Sequence, residues 1–501
     1  MERFRNPACW SALCLAALLA AGCRNARQIR DAEYLDVVQQ TARAAELATP
    51  AAASLPPVLQ DLSGPQPVEM LVDYALLQNP EIHAARKRVD ALGNRVPQAA
   101  SLADPTVEAM GFPFYPAVPQ TAAGRTTAKL AAAQEVPWPG KLGTRAQAAE
   151  AETDMARADL AAKELEVVDR VKRAYYELYF LQQAIRITEE DRRLMEEMAE
   201  IAQVRYRTGV VGQEDVLRAQ VEVSNLANEL IQLRQQETST RARLAQVLHV
   251  SPDTPIQTVK QLPAEQVPHD LERLYEQAVT ARPELHAQLA AIRRDRHAVE
   301  LARLAYLPDF RFSVDWAEMS TAGALAPSAD GIDDVGLGMM FNVPIYRKRL
   351  DAGVREAEAQ TVASARQYDA LRDRTVEEVK DLYAQAVAQY EMARLLRDDI
   401  IPKAEQTLEV SRSAYQVGNI DFLQLIDSWR QLLRFQIAYQ RTDSQLRQTL
   451  AMLERVLGGE VPAAAAPAPP EDVPMPPPLP PEKPSPTPPG PKGAGEGGRP
   501  N

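Results

Sequence analysis

The side chains best suited to covalent or metal chemistry are few in this sequence and lie far apart. All three cysteines lie near the amino terminus, at Cys9, Cys14 and Cys23. The five histidines are scattered, at His83, His249, His269, His286 and His297. The last two share a predicted helix face, but ~16 Å along the helix is too far to hold one metal ion. The sequence also lacks a phosphate-binding loop and a nucleophile elbow, so we predict no catalytic, cofactor-binding or metal-binding site.

Composition and charge argue against several functional classes. The 501-residue chain carries a net charge of −12, and its lysines and arginines are spread along the sequence. We therefore expect no nucleic acid among its partners. Because no cysteine follows residue 23, zinc fingers, iron–sulfur proteins and thiol enzymes are excluded as well.

Cys23 is the one residue for which the sequence predicts a covalent modification. Two arginines precede a short apolar run that ends in Ala20-Ala21-Gly22-Cys23. This pattern is typical of a bacterial export signal, and small residues directly before a cysteine resemble a lipoprotein processing site. We predict a signal peptide over residues 1–22 and an acylated Cys23 in the outer membrane; the alternative is a plain signal peptide with an incidental cysteine. No later stretch reaches 18 apolar residues, so a membrane span in the mature chain would have to consist of strands.

Most of the chain is an internal duplication. Four short motifs recur in the same order at shifts of 203 to 209 residues. The pairs are Asn79-Pro80-Glu81 with Arg282-Pro283-Glu284, Val136-Pro137 with Val343-Pro344, Lys141 with Lys348, and Tyr206-Arg207-Thr208-Gly209 with Tyr415-Gln416-Val417-Gly418. A repeat of this length predicts two copies of one structural unit.

Each copy predicts the same order of elements: a helical segment, an extended hairpin, a very long helix, a glycine turn and a return helix. The opening helical segments are predicted over 68–103 and 270–305. Neither glycine nor proline occurs between Gly143 and Gly209, which predicts an unbroken helix of ~100 Å. In the second copy, Gly353 and Pro402 are expected to interrupt the corresponding helix.

The return helices carry a heptad pattern in identical phase. From 216 to 247, mostly apolar residues recur at spacings that alternate between three and four positions. The same spacing recurs 209 residues later, from 425 to 456. A seam with a 3.5-residue period predicts knobs-into-holes packing against other long helices.

The hairpins alternate apolar and polar residues at a length of about 10 residues per strand, enough for a tilted strand to cross a bilayer. In the second copy the predicted lipid-facing residues are Phe310, Phe312, Val314, Trp316, Val335, Leu337, Met339 and Phe341. In the first copy, the apolar positions of the outgoing strand are predicted to be Met110, Phe112 and Phe114. Those of the returning strand are predicted to be Ala128, Leu130, Ala132, Val136 and Trp138. Soluble half-buried strands show the same alternation; the export signal and the long helices favour the membrane.

Four strands cannot close a barrel, and an open sheet edge in lipid leaves costly unpaired backbone groups. Several copies of the chain must therefore share one sheet. Two copies would give eight strands with a filled interior, whereas three would give twelve with room for a channel. Transport thus favours a homotrimer.

At this point the sequence resembles the TolC-type outer-membrane efflux channels. The resemblance rests on the doubled motifs above, on Val136-Pro137-Trp138-Pro139-Gly140-Lys141, and on the order of elements over residues 68–458. It implies a mainly α fold with membrane β: a trimeric 12-stranded β-barrel continued by an α-helical tunnel. It further implies that the chain is not an enzyme but conducts substrate from an inner-membrane, proton-driven efflux pump through a periplasmic adaptor. The Val-Pro-Trp-Pro-Gly-Lys stretch is most similar to the heavy-metal cation branch.

The resemblance also assigns roles to the glycine turns. We expect Gly209 and Gly418 to adopt left-handed geometry at the ends of the long helices. Contact with the adaptor is implied for Arg205, Tyr206, Gly209, Tyr415 and Gly418, whereas the alternative is that the tyrosines only cap the coiled coil. A pore constriction is implied at Asp421, Gln424 and Asp427; one of the two acids typical of that place is glutamine here. A lone aspartate beside a turn could equally be a solvated surface residue.

The predicted organisation runs from an anchored lead through the two repeats to a tail. Its segments are a signal peptide (1–22), a lipid-anchored lead (23–67), a first repeat (68–250, hairpin 105–138, turn 206–212), a linker (251–269), a second repeat (270–458, hairpin 309–345, turn 415–420) and a Pro-rich disordered tail (459–501).

Three alternatives stay open at this stage. The same architecture could export drugs or other small organic molecules instead of metal cations. The chain could instead be a periplasmic coiled-coil adaptor or scaffold, although such proteins usually carry one helical hairpin rather than two equivalent ones. An enzyme built on the helical body ranks last, because no reactive constellation exists.

Overall fold

A computed structural model describes residues 33–39, 62, 64–112 and 119–461. The predictions for the signal peptide, Cys23, most of the lead, Phe114 and nearly all of the tail lie outside these residues. Within the described part, none of the helices is both long and apolar enough to cross a membrane.

From residue 64 onward the elements follow the same order in both copies, and a short helix also covers residues 33–39. The helices are α1 (Val68–Gln78), α2 (Pro80–Gly93), α3 (Arg95–Ala100), α4 (Lys141–Arg207), α5 (Gln213–Leu248), α6 (Leu271–Ala281), α7 (Pro283–Leu304), α8 (Arg347–Leu395), α9 (Ile401–Gln416) and α10 (Phe422–Leu457). The strands are β1 (Gly64–Gln66), β2 (Thr106–Gly111), β3 (Gln120–Thr121), β4 (Gly124–Val136), β5 (Ile256–Thr258), β6 (Phe310–Ser320) and β7 (Asp334–Phe341).

Contacts divide the chain into two units, which we name by what they contain. The turn unit comprises Met1–Arg95, Asp159–Gln261 and Ile400–Ser444, and it holds both glycine turns. The sheet unit comprises Val96–Ala158, Leu262–Asp399 and Gln445–Asn501, and it holds both hairpins.

The opening helical segments are broken where continuous helices were expected. Each segment breaks once before a proline, at Asn79 and at Arg282, which have extended backbone. The first segment has one further interruption, at Asn94, where the backbone stays helical. The residue before proline avoids helical geometry, and proline then starts the next helix. A histidine bridges each break that precedes a proline: His83 Nε2 donates to the carbonyl of Leu77 at 2.9 Å, and His286 Nε2 donates to that of Thr280 at 2.8 Å.

The long helices follow the prediction with one correction. Helix α4 is unbroken over 67 residues. In the second copy the π-helical segment Leu396–Ile400 separates α8 from α9, and Pro402 lies in the first turn of α9. The expected interruption at Gly353 is wrong: this glycine lies inside α8, where a single glycine costs only ~1 kcal/mol relative to alanine.

The heptad seam is mostly buried in α5, whereas in α10 six of its ten positions are buried and four are half-buried. In α5 every seam position is buried except Val223 and Glu237, which are half-buried. Helix α10 buries a second, adjacent stripe beside its seam: Phe422, Ile426, Trp429 and Leu433. In the turn unit this stripe packs with Met195, Met198 and Tyr415 into one apolar cluster, which we call the turn core.

The sheet unit contains one antiparallel sheet in the order β2-β4-β6-β7, with β3 beside β4. The two hairpins, one from each repeat, meet through β4 and β6, which pair from Val136 with Phe310 to Arg125 with Ser320. Strands β2 and β7 therefore form the two edges of the sheet, and nearly all of their residues are exposed.

Candidate functional site

Both glycine turns adopt the expected left-handed backbone. Gly209 has φ +75° and Gly418 has φ +80°. In the first turn the N–H of Val210 donates to the carbonyl of Arg205, and that of Gly209 donates to Tyr206. In the second turn, Asn419 donates to Ala414 and Gly418 to Tyr415 in the same pattern. Both helices thus end in Schellman motifs, which confirms the predicted geometry.

Arg205 joins the two turns of the turn unit. Its Nη1 donates to the carbonyl of Tyr415 at 2.7 Å, and its guanidinium carbon lies 4.6 Å from the centre of the Tyr415 ring. Burial raises the pKa of the Tyr415 hydroxyl, and the charge of Asp215 raises it further, whereas Arg205 acts in the opposite direction. A cation placed over this ring fixes one turn to the other.

The two turn tyrosines occupy different environments. Tyr415 belongs to the turn core and is only 5% exposed, with its ring 5.5 Å from that of Phe422. Tyr206 is 44% exposed. The capping alternative therefore fits Tyr415, whereas the ring of Tyr206 is open to a partner; adaptor contact stays a prediction for all five turn residues.

The three residues assigned to a constriction have separate local roles. The carboxylate of Asp421 accepts a hydrogen bond at 2.9 Å from the N–H of Gln424, at the start of α10. Gln424 is exposed. The side chain of Asp427 is 58% exposed and lies 3.6 Å from Arg430. Asp421 is thus a helix-capping residue, and Asp427 forms an exposed ion pair with Arg430. A pore constriction at these three residues stays a prediction.

Sequence reasoning missed two polar pairs on α10. Arg430 is hydrogen-bonded through two nitrogens to the buried carboxylate of Glu222 on α5. The indole N–H of Trp429 donates to Asp191 of α4 at 2.8 Å. Burial raises the pKa of Asp191 to about 6; the indole acts against this shift, and Glu190 adds to it. Nothing in the local sequence marks Asp191, because its indole partner lies 238 residues away.

An open groove lies between α5 and α10, beside the turns. Its apolar walls include Leu217, Val221 and Leu423, all of them exposed, and the Glu222–Arg430 pair also lines it. The groove presents apolar surface next to a fixed charge pair, as protein-binding surfaces often do.

In the sheet unit, all eight residues predicted to face lipid share one sheet face. They form four cross-strand pairs between β6 and β7: Phe310 with Phe341, Phe312 with Met339, Val314 with Leu337, and Trp316 with Val335. Leu337 is 85% exposed, and most of the others are also open to the surroundings. The other face carries the ion pairs Lys129–Asp315 (3.5 Å) and Arg311–Glu135 (3.7 Å).

The first hairpin differs from the prediction in strand β2. Ala109 pairs with Leu130 and Val107 with Ala132, so Val107 and Ala109 lie on the apolar face. Met110 pairs with Lys129 on the polar face, so the expectation that it leads the apolar side is wrong. The strand ends at Gly111, before Phe112. The sequence pattern placed Met110 and Phe112 on the apolar face, which is one residue out of register with the structure. An error of one residue moves every side chain of a strand to the opposite face of the sheet.

The strands join the helices through a polar clamp in the sheet unit. The buried Lys141 Nζ donates to the carbonyl of Leu307 at 3.0 Å and to the carboxylate of Asp309 at 2.8 Å. The same carboxylate accepts the N–H of Trp138 at 2.8 Å. Burial alone would raise the pKa of Asp309, but these donors lower it. The clamp fixes the end of β4 to the start of β6.

Among the described residues, no group of three or more His, Cys, Asp or Glu side chains is placed to hold a metal ion.

A family model described as outer membrane efflux protein matches residues 71–249 and 274–459. The two matched segments coincide with the two repeats. The chain is also similar to the cobalt-zinc-cadmium resistance protein CzcC of Cupriavidus metallidurans, with 22% identity over 413 residues, covering 81% of this chain and 93% of that protein.

Three solved structures share this fold over most of the chain. The outer-membrane channel OprN has a TM-score of 0.67 at 20% identity, covering 78% of this chain and 90% of that one. VceC from Vibrio cholerae has a TM-score of 0.65 at 20% identity, covering 78% and 96%. CusC has a TM-score of 0.66 at 18% identity, covering 80% and 97%.

Proposed function

Because this chain belongs to the outer membrane efflux protein family, we propose that three copies of it form the outer-membrane conduit of a tripartite efflux system. The observation that carries the proposal is the β2-β4-β6-β7 sheet, which has one apolar face and two open edges. In lipid, each unpaired backbone group at an open edge costs several kcal/mol, so the edges need partners. Three copies supply twelve strands, enough to enclose a channel.

Members of this family are transport proteins without enzymatic activity, and conduction through the channel is passive. An inner-membrane, proton-driven pump supplies the energy, and a periplasmic adaptor passes the substrate on. The glycine turns are the proposed adaptor contact, through Arg205, Tyr206, Gly209, Tyr415 and Gly418. The exposed Tyr206 ring and the apolar groove between α5 and α10 support this assignment.

The proposed cargo is heavy-metal cations. Support comes from the similarity to a cobalt-zinc-cadmium resistance protein over most of both chains. The exposed carboxylate of Asp427, repeated three times around a trimer axis, would attract cations into the conduit. Acylation of Cys23 would hold the amino terminus at the outer membrane.

Membrane fractionation tests the conduit itself. The protein should separate with the outer membrane and migrate differently on gels before and after heating, as trimeric barrels do. A soluble, strand-poor protein would instead support the alternative of a periplasmic adaptor and would overturn the proposal.

Growth assays on a deletion strain test the cargo. Loss of the gene should lower tolerance to cobalt, zinc and cadmium salts and leave tolerance to antibiotics unchanged, and a plasmid copy should restore it. Lost antibiotic tolerance with unchanged metal tolerance would instead assign the channel to organic molecules.

A further inference from the structure

The junction between strands and helices occurs twice in the sequence but is covered only once in the chain. In the first repeat, Val136 and Trp138 are half-buried and Lys141 is buried. Their counterparts 207 residues later, Val343, Ile345 and Lys348, are all exposed. The same motif thus has a covered copy and an uncovered copy.

The first copy is covered by the start of the second hairpin. Val136 pairs with Phe310, the Trp138 ring stacks on the Phe310 ring at 5.8 Å, and Lys141 binds Leu307 and Asp309. The covering segment is therefore residues 307–310. Its own counterpart, 203 residues earlier, is Asp104-Pro105-Thr106-Val107, and this segment is also exposed.

The two uncovered segments lie at opposite edges of the sheet. Residues 104–107 lead into the edge strand β2, and residues 343–348 follow the edge strand β7. One chain cannot bring the two edges of this open sheet together by itself. A second copy can, through a head-to-tail contact that repeats until the ring closes.

We propose that residues 343–348 of one copy cover residues 104–107 of a second copy, in the way that the junction of the first repeat is covered within the chain. This inference rests on the proposed trimer and specifies its seam. The register of this contact follows from the pairing of β4 with β6. Adding 207 to each β4 position and subtracting 203 from each β6 position converts the pair Val136–Phe310 into Val343 opposite Val107 of the second copy. The same conversion places Phe341 opposite Ala109 and Met339 opposite Gly111.

This register has an independent check in the side-chain faces. Phe341 and Met339 lie on the apolar face of β7, and Val107 and Ala109 lie on the apolar face of β2. The transferred pairs therefore join apolar face to apolar face. A slip by one residue would bring apolar residues onto the polar face along the whole seam.

Charge is also matched across the seam. Lys141 binds the carboxylate of Asp309, and the residue equivalent to Asp309 in the first repeat is Thr106, which has no carboxylate. The nearest carboxylate is that of Asp104, two residues before Thr106. Asp104 precedes a proline and so favours extended backbone, in which side chains two residues apart share a face. Lys348 of one copy then pairs with Asp104 of the next; within the described chain, the structure gives neither side chain an ion-pair partner.

Disulfide trapping in the full-length chain tests the register. Paired residues in an antiparallel sheet have Cα atoms ~4.5–5.5 Å apart, within disulfide range, whereas diagonal neighbours lie ~7–8 Å apart. The variant with Phe341→Cys and Ala109→Cys, oxidised in the membrane, should give covalent dimers and trimers on non-reducing gels. The matched variant with Phe341→Cys and Val107→Cys should give few, and each single-cysteine variant none.

Two results would overturn the seam. If an intact trimer forms and the offset pair crosslinks better than the predicted pair, the register is wrong while the proposed channel stands. If native mass measurement shows no trimer for the unmodified chain, both the seam and the proposed function fail.

A charge exchange gives a second test that does not depend on cysteine. Lys348→Asp or Asp104→Lys alone should lower the heat-dissociation midpoint of the trimer by about 2–4 °C, and the double exchange should restore most of the loss. Arg349→Asp, on the neighbouring exposed residue, should not be rescued by Asp104→Lys. Equal rescue of both variants, or rescue of neither, would contradict the pairing.

Discussion

Both return helices end at a residue with left-handed backbone, but this residue is a histidine in the first repeat and a glycine in the second. His249 ends α5 with φ +57°, the one non-glycine residue in left-handed geometry in the described chain. Its counterpart 209 residues later is Gly458, with φ +78°. A side chain in this geometry costs roughly 1–2 kcal/mol, which glycine avoids.

His249→Gly should therefore stabilise the protein, by about 0.5–1 kcal/mol after allowing for the greater unfolded-state entropy of glycine. The reverse change, Gly458→His, should destabilise it more strongly, because a Cβ there would lie 2.4 Å from the carbonyl oxygen of Ala281. Thermal unfolding of the two variants measures both effects. A loss of stability in His249→Gly would contradict this explanation.

Asp191 makes the turn core sensitive to pH. Its folded-state pKa of about 6 lies above the ordinary value of 3.8, so the folded protein binds this proton more tightly than the unfolded chain. The resulting stability is fully present below pH ~4 and is lost as pH rises through about 6. The expected difference is about 2–3 kcal/mol.

Asp191→Asn should remove this pH dependence. Its thermal midpoint should exceed that of the natural chain at pH 7.5 and should change less between pH 4 and 7. Glu190→Gln, on the exposed neighbour, is the matched control and should retain most of the slope. Identical pH profiles for Asp191→Asn and the natural chain would show that this carboxylate does not titrate as argued.

At the scale of elements, Pro402 explains why the second long helix differs from the first. A proline inside a helix removes one backbone hydrogen bond and crowds the carbonyl four residues earlier. The π-helical segment Leu396–Ile400, directly before α9, accommodates both effects. Helix α4 has no proline and no such segment.

Pro402→Ala should convert the π-helical segment to regular α-helix. Hydrogen exchange should slow at the amides of residues 396–401, while α4 should be unaffected. Unchanged exchange in this segment would mean that the widened turn has another cause, such as packing against its neighbours.

The periodic spacing of apolar residues predicted most helices and strands. The features that it did not predict depend on contacts between residues far apart in the sequence. The heptad seam of α5 is buried as predicted because helical period alone decides which face packs. The assignment of Met110 failed because the face of a short strand is set by its partner, here Lys129. Asp191 and Glu222 gave no signal, because their importance comes from residues more than 200 positions away.

The apolar face of β7 allows a matched test in one strand. Leu337→Lys places a charge on that face and should reduce insertion, since lysine on a lipid face costs ~2–4 kcal/mol at mid-membrane. Met340→Lys places the same charge on the other face of the same strand and should be tolerated. The yield of heat-modifiable trimer in the outer membrane measures both, and equal yields would contradict a lipid-facing role for this surface.

At the scale of the whole molecule, the predicted fold class is confirmed: the chain has the fold of the TolC-type trimeric barrel and helical-tunnel channels. Internal duplication is the property that the sequence revealed most directly, because motifs recurred in order at nearly constant spacing. What duplication could not reveal is where the copies diverge, as at Tyr206 and Tyr415 or at Lys141 and Lys348. Within the described residues, only one copy of each surface is covered: Tyr415 and Lys141 are buried, whereas Tyr206 and Lys348 are exposed.

The central claim is that the apolar sheet face meets lipid while the other face meets water. Nitroxide labels at Leu337 and at Met340, in the assembled protein in bilayers, test it most directly through collision with oxygen, which concentrates in lipid, and with a water-soluble nickel complex. We predict that the label at 337 collides mainly with oxygen and the label at 340 mainly with nickel. Preferential collision of the label at 337 with nickel would contradict the account.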